Sequence, residues 1–406
     1  MHPWDRVSRN EKPSALESAR QRYCGCCDQK PRRNRFGNKY RHPKSAILLI
    51  AAAVAFLLYN TGQDGQVTAL RGGGLGGTIL VVGGFGFVGA AIIDRALDED
   101  YKVFVMDSSV AYAAPQPRNK LVRYIDSDHV PHGRNGQNGQ FADALAMIPN
   151  GVETVIYAAG VQDSGERHSI WDSGDGVRYV LEWCTERSVA NFVMMSSLGV
   201  CELSEAEPVP DGAPKVEACT SSAEILLEAA HTNVGGSLTP AAQKALEAEM
   251  VADSICDMAD IKCAVLRLSE PYGPGIDDGP VAAVVAKVVA DEPIDVPEVD
   301  IPKDYIHTND VASALIKTIR MGLSDTVLRL GICSGETTSV ETWAHTAIET
   351  SGFTKSVVRL PSERENGVGM TCDVQRAWRK MAFQAGIGIP EGVASLLSSL
   401  EPDGRA

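Results

Sequence analysis

The chain has 406 residues, 44% of them hydrophobic, 22% charged and 6% aromatic, with ten cysteines. It is too long for one minimal domain, too apolar for a disordered chain and too poor in cysteine for a disulfide-dense scaffold. A net charge of −14 speaks against a surface that wraps nucleic acid, so none is expected as a partner.

The charge is unevenly spread. Residues 1–44 carry 12 Lys and Arg against 4 Asp and Glu, a balance of +8 that leaves −22 on the rest. Cys24, Cys26 and Cys27 lie in this basic tail without a fourth ligand nearby, so no metal site is expected. Ala46 to Tyr59 then reads AILLIAAAVAFLLY, with no charge. As a helix it would span roughly 21 Å, against about 30 Å for a hydrocarbon core. The flanks favour an anchor all the same. Forty-five residues precede the stretch, too many for the head of a secretory signal. Arg32, Arg33, Arg35, Lys39, Arg41 and Lys44 bias that side towards the cytosol, and Ser45, Asn60 and Thr61 can lengthen the span.

We therefore expect a basic cytosolic tail at 1–44 and a type II signal-anchor helix crossing the membrane at 45–60. The body would then lie in the lumen of the secretory pathway (ER or Golgi). The alternatives are cleavage after Ala55 or Ala69, with delivery to another organelle, and a buried soluble helix. Asn60 to Gly77 holds seven glycines in 18 residues and reads as a flexible tether, so 61–77 is a linker and the body begins at Thr78.

The body opens on a β-branched apolar run, Thr78 to Val82, as a buried parallel strand requires. The turn Gly83, Gly84, Phe85, Gly86, Phe87, Val88, Gly89 follows, and then an apolar-periodic helix to about Leu97. Glycines three apart between a strand and a helix suit a pyrophosphate. The first allows the tight turn, the second lets backbone approach the anion, and the third lets helix and strand pack closely. The helix N-terminus supplies free N–H groups and a positive dipole end. A second strand, Lys102 to Met106, ends at Asp107, 18 residues past Gly89, where a carboxylate can hold a ribose hydroxyl. Ser108 and Ser109 follow with no arginine, which favours NAD over NADP.

Strand and helix continue to alternate. Val152 to Tyr157 is a predicted strand ending in Ala158, Ala159 and Gly160. Gly176 to Arg187 is a predicted helix, and Asn191 to Met195 is a strand running into Ser196 and Ser197. The pattern is that of an open α/β sheet, which places ligands at the carboxyl ends of its strands. The region Glu202 to Ser237 is acidic and proline-containing, and reads as a solvated insertion, with a lid or partner surface as the alternatives. Cys184, Cys201, Cys219, Cys256, Cys263, Cys333 and Cys372 are scattered singly among apolar neighbours and read as small core residues.

Several segments now stand in order: VVGGFGFVG (81–89), VIYAAG (155–160), FVMMSSLGV (192–200), LRLSEPYGPG (266–275), KDYIHTNDVASA (303–314), LRLGICSGE (328–336) and CDVQRAWRKMAFQAGIGIPEGV (372–393). Over roughly 78–400 the chain resembles the extended short-chain dehydrogenase/reductases, the NAD-dependent epimerase/dehydratases and 3β-hydroxysteroid dehydrogenases. The resemblance implies a Rossmann-type doubly wound parallel sheet, about 78–265, with a smaller C-terminal substrate lobe, about 266–400. It implies that Ser197 polarises the substrate, that Pro271 shapes the wall near the nicotinamide, and that Lys303 replaces an arginine that touches a diphosphate. Lys303 keeps that charge but loses the bidentate fork. His307 and Asp310 are expected to be structural, and the helices around 176–187 and 242–258 are candidates for a homodimer face.

One departure stands out. The family uses a tyrosine four residues before a lysine, the phenol moving a proton as hydride moves. The matching segment here is SLTPAAQKALEAEMV, 237–251, and no tyrosine lies between Tyr179 and Tyr272. Alignment on Lys244 puts Pro240 at the tyrosine position, and Lys244 then reaches the ribose. Alignment on Pro240 and Glu249 puts Ala241 there and Ala245 at the lysine. The resemblance thus implies an NAD-binding epimerase/dehydratase-like oxidoreductase acting on a nucleotide sugar. A sterol or other hydrophobic-alcohol dehydrogenase and a catalytically retired NAD-binding scaffold are the alternatives.

Overall fold

The computed structural model describes residues 76–107, 122–126, 143–159, 174–201, 215–216, 239–297, 300–324, 327–352, 355–361 and 371–400. All belong to the unit Gly72–Ala406. The basic tail, the anchor segment and most of the linker lie outside the described residues, as do Gly160, Cys219 and most of the 202–237 insertion. Among the described residues no helix is long and apolar enough to cross a membrane.

Seven strands form one sheet: β1 (Thr78–Val82), β2 (Lys102–Asp107), β3 (Val122–Asp126), β4 (Thr154–Tyr157), β5 (Asn191–Ser197), β7 (Lys262–Leu268) and β11 (Leu328–Ile332). A two-residue β6 (Lys215–Val216) falls between β5 and β7 in the chain. The sheet order is β3-β2-β1-β4-β5-β7-β11, and every neighbouring pair is parallel. The order reverses between β1 and β4, which opens a crevice at the carboxyl ends of those strands.

The continuous apolar strands follow from burial on both faces. Ile79 and Val81 point into one apolar layer with Ile92 and Ile93 of α1 (Phe87–Asp98), and this layer includes Val311 and Leu315 of α5 (Thr308–Met321). Leu80 and Val82 point the other way, into a layer with Val177 and Val180 of α2 (Gly174–Arg187) and Ala248 and Ala252 of α3 (Pro240–Ala259).

The second lobe has its own core. α4 (Gly279–Val289), β9 (Ile294–Pro297), α6 (Val340–Ser351) and α8 (Ile389–Leu400) gather around Trp343, which packs edge-on against Tyr272 and Tyr305. β8 (Glu270–Tyr272) pairs in parallel with β10 (Lys303–His307), and β10 pairs antiparallel with β12 (Thr337–Thr338). β13 (Val357–Leu360) pairs with β9, and β14 (Thr371–Cys372), just before α7 (Val374–Met381), pairs with β6.

The cysteines overturn the expectation of isolated core thiols. Cys256 is bonded to Cys263, Cys333 to Cys372, and Cys201 is also in a disulfide. Cys184 remains a buried free thiol, and burial raises its pKa. Partners 39 residues apart, as in Cys333–Cys372, leave no local pattern in a sequence.

His307 and Asp310 are structural, as expected. His307 Nδ1 accepts the Asn309 N–H at the start of α5, and Asp310 accepts the N–H groups of Gly386 and Ile387. His307 is fully buried, and burial lowers its pKa against the opposing pull of Asp310 and Glu391.

Candidate active site

The turn after β1 is built by backbone constraint. Gly83 has φ +79° and gives its N–H to the Met106 carbonyl at 2.9 Å. A Cβ there would lie 2.7 Å from the Ala159 nitrogen, so the turn packs directly on Ala158–Ala159 at the end of β4. A Cβ on Gly89 would overlap the Gly83 carbonyl, because helix and turn are in backbone contact. Gly86 differs. Its Cβ would meet only the Gly83 oxygen, at an ordinary 3.6 Å, so the fold itself has room for a side chain there. Gly86 is also the N-cap of α1 and offers no side-chain cap to the first turn's N–H groups. An uncapped helix N-terminus of this kind fits a pyrophosphate.

Asp107 is nearly buried at the end of β2, and its Oδ2 accepts the Phe85 N–H at 2.7 Å. The carboxylate expected to meet a ribose thus also braces the glycine turn. Phe85 stacks on Tyr124, with ring centroids 5.4 Å apart.

A cavity of about 390 Å³ begins at Phe87, the first residue of α1, and runs between the lobes of the body. Ser196, Ser197, Thr239, Ala241 and Ala242 line one side, and Glu270, Pro271, Asp278, Lys303 and Tyr305 another. Three expected residues, Ser197, Pro271 and Lys303, are therefore brought together. Ser197 Oγ accepts the Gly199 N–H at 3.0 Å, which leaves its own O–H to donate. Lys303 Nζ lies 3.7 Å from Glu270 Oε1, and both side chains are about half exposed.

The position of α3 against the cavity is set by a buried ion pair. Glu249, fully buried, accepts from Arg267 Nε at 2.9 Å and Nη2 at 2.6 Å, and from Ser196 Oγ at 2.6 Å. Arg329 approaches the same carboxylate at 3.7 Å. Positions four apart share a helix face, so Glu249 puts Ala245 and Ala241 in line above it. Ala241 reaches the cavity and Ala245 packs on the apolar cluster beside it. Pro240 and Lys244 are not among the residues that line this cavity. Charge patterning alone could not separate the two alignments. The deciding signal was Glu249, an acid in an apolar helical face that needed a buried partner, found here in Arg267.

Glu270, Asp278, Thr239 and Tyr305 line the cavity without having been singled out in sequence. Asp278 and Thr239 bear the mark of helix caps, accepting the N–H groups of Gly279 and Ala242, and carry no other local signal.

Sheet order, glycine turn and a cavity at the carboxyl ends of β5 and β7 define a Rossmann-type dinucleotide-binding protein with an appended substrate lobe. Residues 79–331, more than half of the chain, match the NAD dependent epimerase/dehydratase family, and the protein belongs to it. It is 22% identical over 331 residues to dTDP-4-dehydro-6-deoxyglucose reductase of Escherichia coli, covering 79% of this chain and 97% of the relative. Among solved structures, MoeE5 in complex with UDP-glucuronic acid and NAD is 21% identical with a TM-score of 0.60, over 80% of this chain and 98% of that one. The UDP-glucose 4-epimerase of Thermotoga maritima, solved with UDP-glucose, is 19% identical with a TM-score of 0.61, over 79% and 98%. At these identities the structural likeness speaks to the fold.

Proposed function

We propose that this protein binds NAD along Gly83–Gly89 and holds a nucleotide sugar in the adjoining cavity, as an oxidoreductase of the epimerase/dehydratase type. The observation that carries the reading is Gly86, a position with room for a Cβ that is nevertheless glycine, at an uncapped helix N-terminus next to Phe87, which lines the cavity. NAD, when bound, supplies hydride transfer. Ser197 donates its O–H to a ligand oxygen, and Lys303 offers a positive charge to a diphosphate. Similar proteins, a dTDP-4-dehydro-6-deoxyglucose reductase, a UDP-glucose 4-epimerase and MoeE5 in complex with UDP-glucuronic acid and NAD, favour that substrate class. Three charged residues in the lining that are not buried, Glu270, Asp278 and Lys303, make a sterol a poorer fit.

A second reading, an NAD-binding protein with turnover lost, rests on α3 presenting Ala241 and Ala242 to the cavity where the family resemblance expects a phenol. Calorimetry with NAD, UDP-glucose and dTDP-glucose, run beside an assay of nicotinamide absorbance, separates the two. Binding with product formation supports the enzyme, whereas binding of NAD alone with no turnover supports the retired form. Failure to bind NAD ends both.

The disulfides support a body in an oxidising compartment, as expected behind a type II anchor at 45–60. Protease protection in intact vesicles tests this, since digestion of the body from the cytosolic side would refute it. Met250 and Met258, exposed on α3, support a homodimer through the α2–α3 face, checked by light scattering.

A further inference from the structure

The two disulfides with both cysteines among the described residues stand in different relations to the cavity. Cys256–Cys263 ties the last turn of α3 to the start of β7, away from the carboxyl-terminal edge where ligands bind. Cys333–Cys372 joins the residue after β11 to β14. Both of its cysteines are buried in one apolar cluster with Leu198, Val200, Cys201, Ala242 and Leu246. Two members of that cluster, Leu198 and Ala242, line the cavity.

Asp304 connects the same bond to the opposite wall. Its carboxylate, 1% exposed, accepts from Ser334 N and Oγ at 2.9 Å each, from Gly335 N at 2.8 Å, and from the Thr371 hydroxyl. Ser334 and Gly335 follow Cys333, and Thr371 precedes Cys372. The donors to Asp304 therefore come from both ends of the disulfide. Lys303, Asp304 and Tyr305 line the cavity in turn. Gly331 also faces the bond, since a Cβ there would come within 2.8 Å of the Cys372 Cβ and Sγ. The remaining strand pairing of Thr371–Cys372 is a two-residue ladder to Lys215–Val216.

We propose that Cys333–Cys372 is an oxidative latch on the cavity. Its formation organises the Leu198–Ala242 side and the Lys303–Tyr305 side into one receptive site, while the glycine turn forms without it. The latch closes by exchange with an external disulfide, such as glutathione disulfide or an oxidised dithiol protein. One cysteine thiolate attacks that disulfide and expels a thiolate. The other cysteine then attacks the mixed disulfide and expels the second. One S–S bond breaks and one forms. The two protein thiols lose two electrons and two protons, and the oxidant leaves as two thiols. The inference takes from the proposed function only that this cavity is the ligand site.

Hydrogen exchange on the full-length chain tests it without reference to any substrate. In Cys333→Ser/Cys372→Ser, amide exchange at Leu198–Cys201, Ala241–Leu246 and Lys303–His307 should rise by roughly tenfold or more. Exchange at Gly83–Gly89 and the melting shift caused by NAD should stay as in the parent. The control Cys256→Ser/Cys263→Ser should leave cavity exchange unchanged. If the first variant does not fold, stepwise reduction of the parent by dithiothreitol, with each bond's status read by mass spectrometry, compares species lacking only Cys333–Cys372 with species lacking only Cys256–Cys263 or the Cys201 bond. Unchanged cavity exchange without the bond overturns the latch, and so does a rise spread evenly over the body. UDP-glucose binding to the oxidised parent judges the nucleotide-sugar reading separately.

Discussion

At Gly86 the demands of the fold and of a ligand come apart. Gly83 and Gly89 are required by the chain itself, one by its left-handed backbone and the other by contact with a carbonyl. Gly86 has space, so Gly86→Ala should fold like the parent. NAD at about 100 times its Kd should stabilise the parent by ~2.7 kcal/mol, a melting rise of roughly 5 °C for a body of this size. The Gly86→Ala variant should lose that rise with its own melting point little changed. A full NAD shift in this variant would move the pyrophosphate elsewhere. His307 supplies a second test at the same scale. Burial holds its folded pKa below the unfolded value of 6.5, so the unfolded chain binds the proton first as pH falls. Its contribution is intact above about pH 6.5 and is lost as pH drops towards the folded pKa. His307→Asn keeps an acceptor for the Asn309 N–H, and should flatten the fall in melting temperature between about pH 6.5 and 5.

Among the elements, α3 carries the most information, because one buried carboxylate sets how it lies on the sheet. Glu249 takes three donors from β5 and β7, and the helix turns above it bring alanines rather than the lysine towards the cavity. Glu249→Gln would leave the Arg267 guanidinium, 3% exposed, without its counter-charge. Breaking such a pair costs about 3–5 kcal/mol, to be read as a lower urea midpoint at unchanged slope. If this face is the one on which proton transfer belongs, Ala241→Tyr/Ala245→Lys should raise turnover of UDP-glucose with NAD. A gain on the order of 10²-fold matches what a placed general acid contributes. Ala241→Phe/Ala245→Lys should bring no gain, since it restores the ring without the proton. Equal effects of the two variants would place the chemistry elsewhere.

For the whole molecule, the disulfides and the distribution of charge bear on the proposed topology. In the proposed topology the basic tail of +8 would stay in the cytosol and the acidic body of −22, with its paired cysteines, would meet an oxidising lumen. Growth of the full chain in a reducing cytosol should therefore yield protein that melts several degrees lower than protein from the secretory route. Equal melting points, with the bonds shown by mass spectrometry to be absent in the first sample, would make the pairings irrelevant to stability.

What could be read directly from the chain was local or periodic. β1, its turn and α1 run without a break from Thr78 to Asp98, so strand, glycines and helix stand side by side in the text, and the apolar runs of a sheet buried on both faces need no partner to be recognised. Tertiary structure decided whatever depended on residues far apart. The facing of α3 rests on Glu249 meeting Arg267 eighteen residues later, and the cysteine pairing joins positions up to 39 apart. The cavity wall draws on Phe87, Ser197, Ala241, Pro271 and Lys303 together. Side-chain chemistry is written one residue at a time, whereas burial and proximity exist only once the sheet has brought separate stretches into contact.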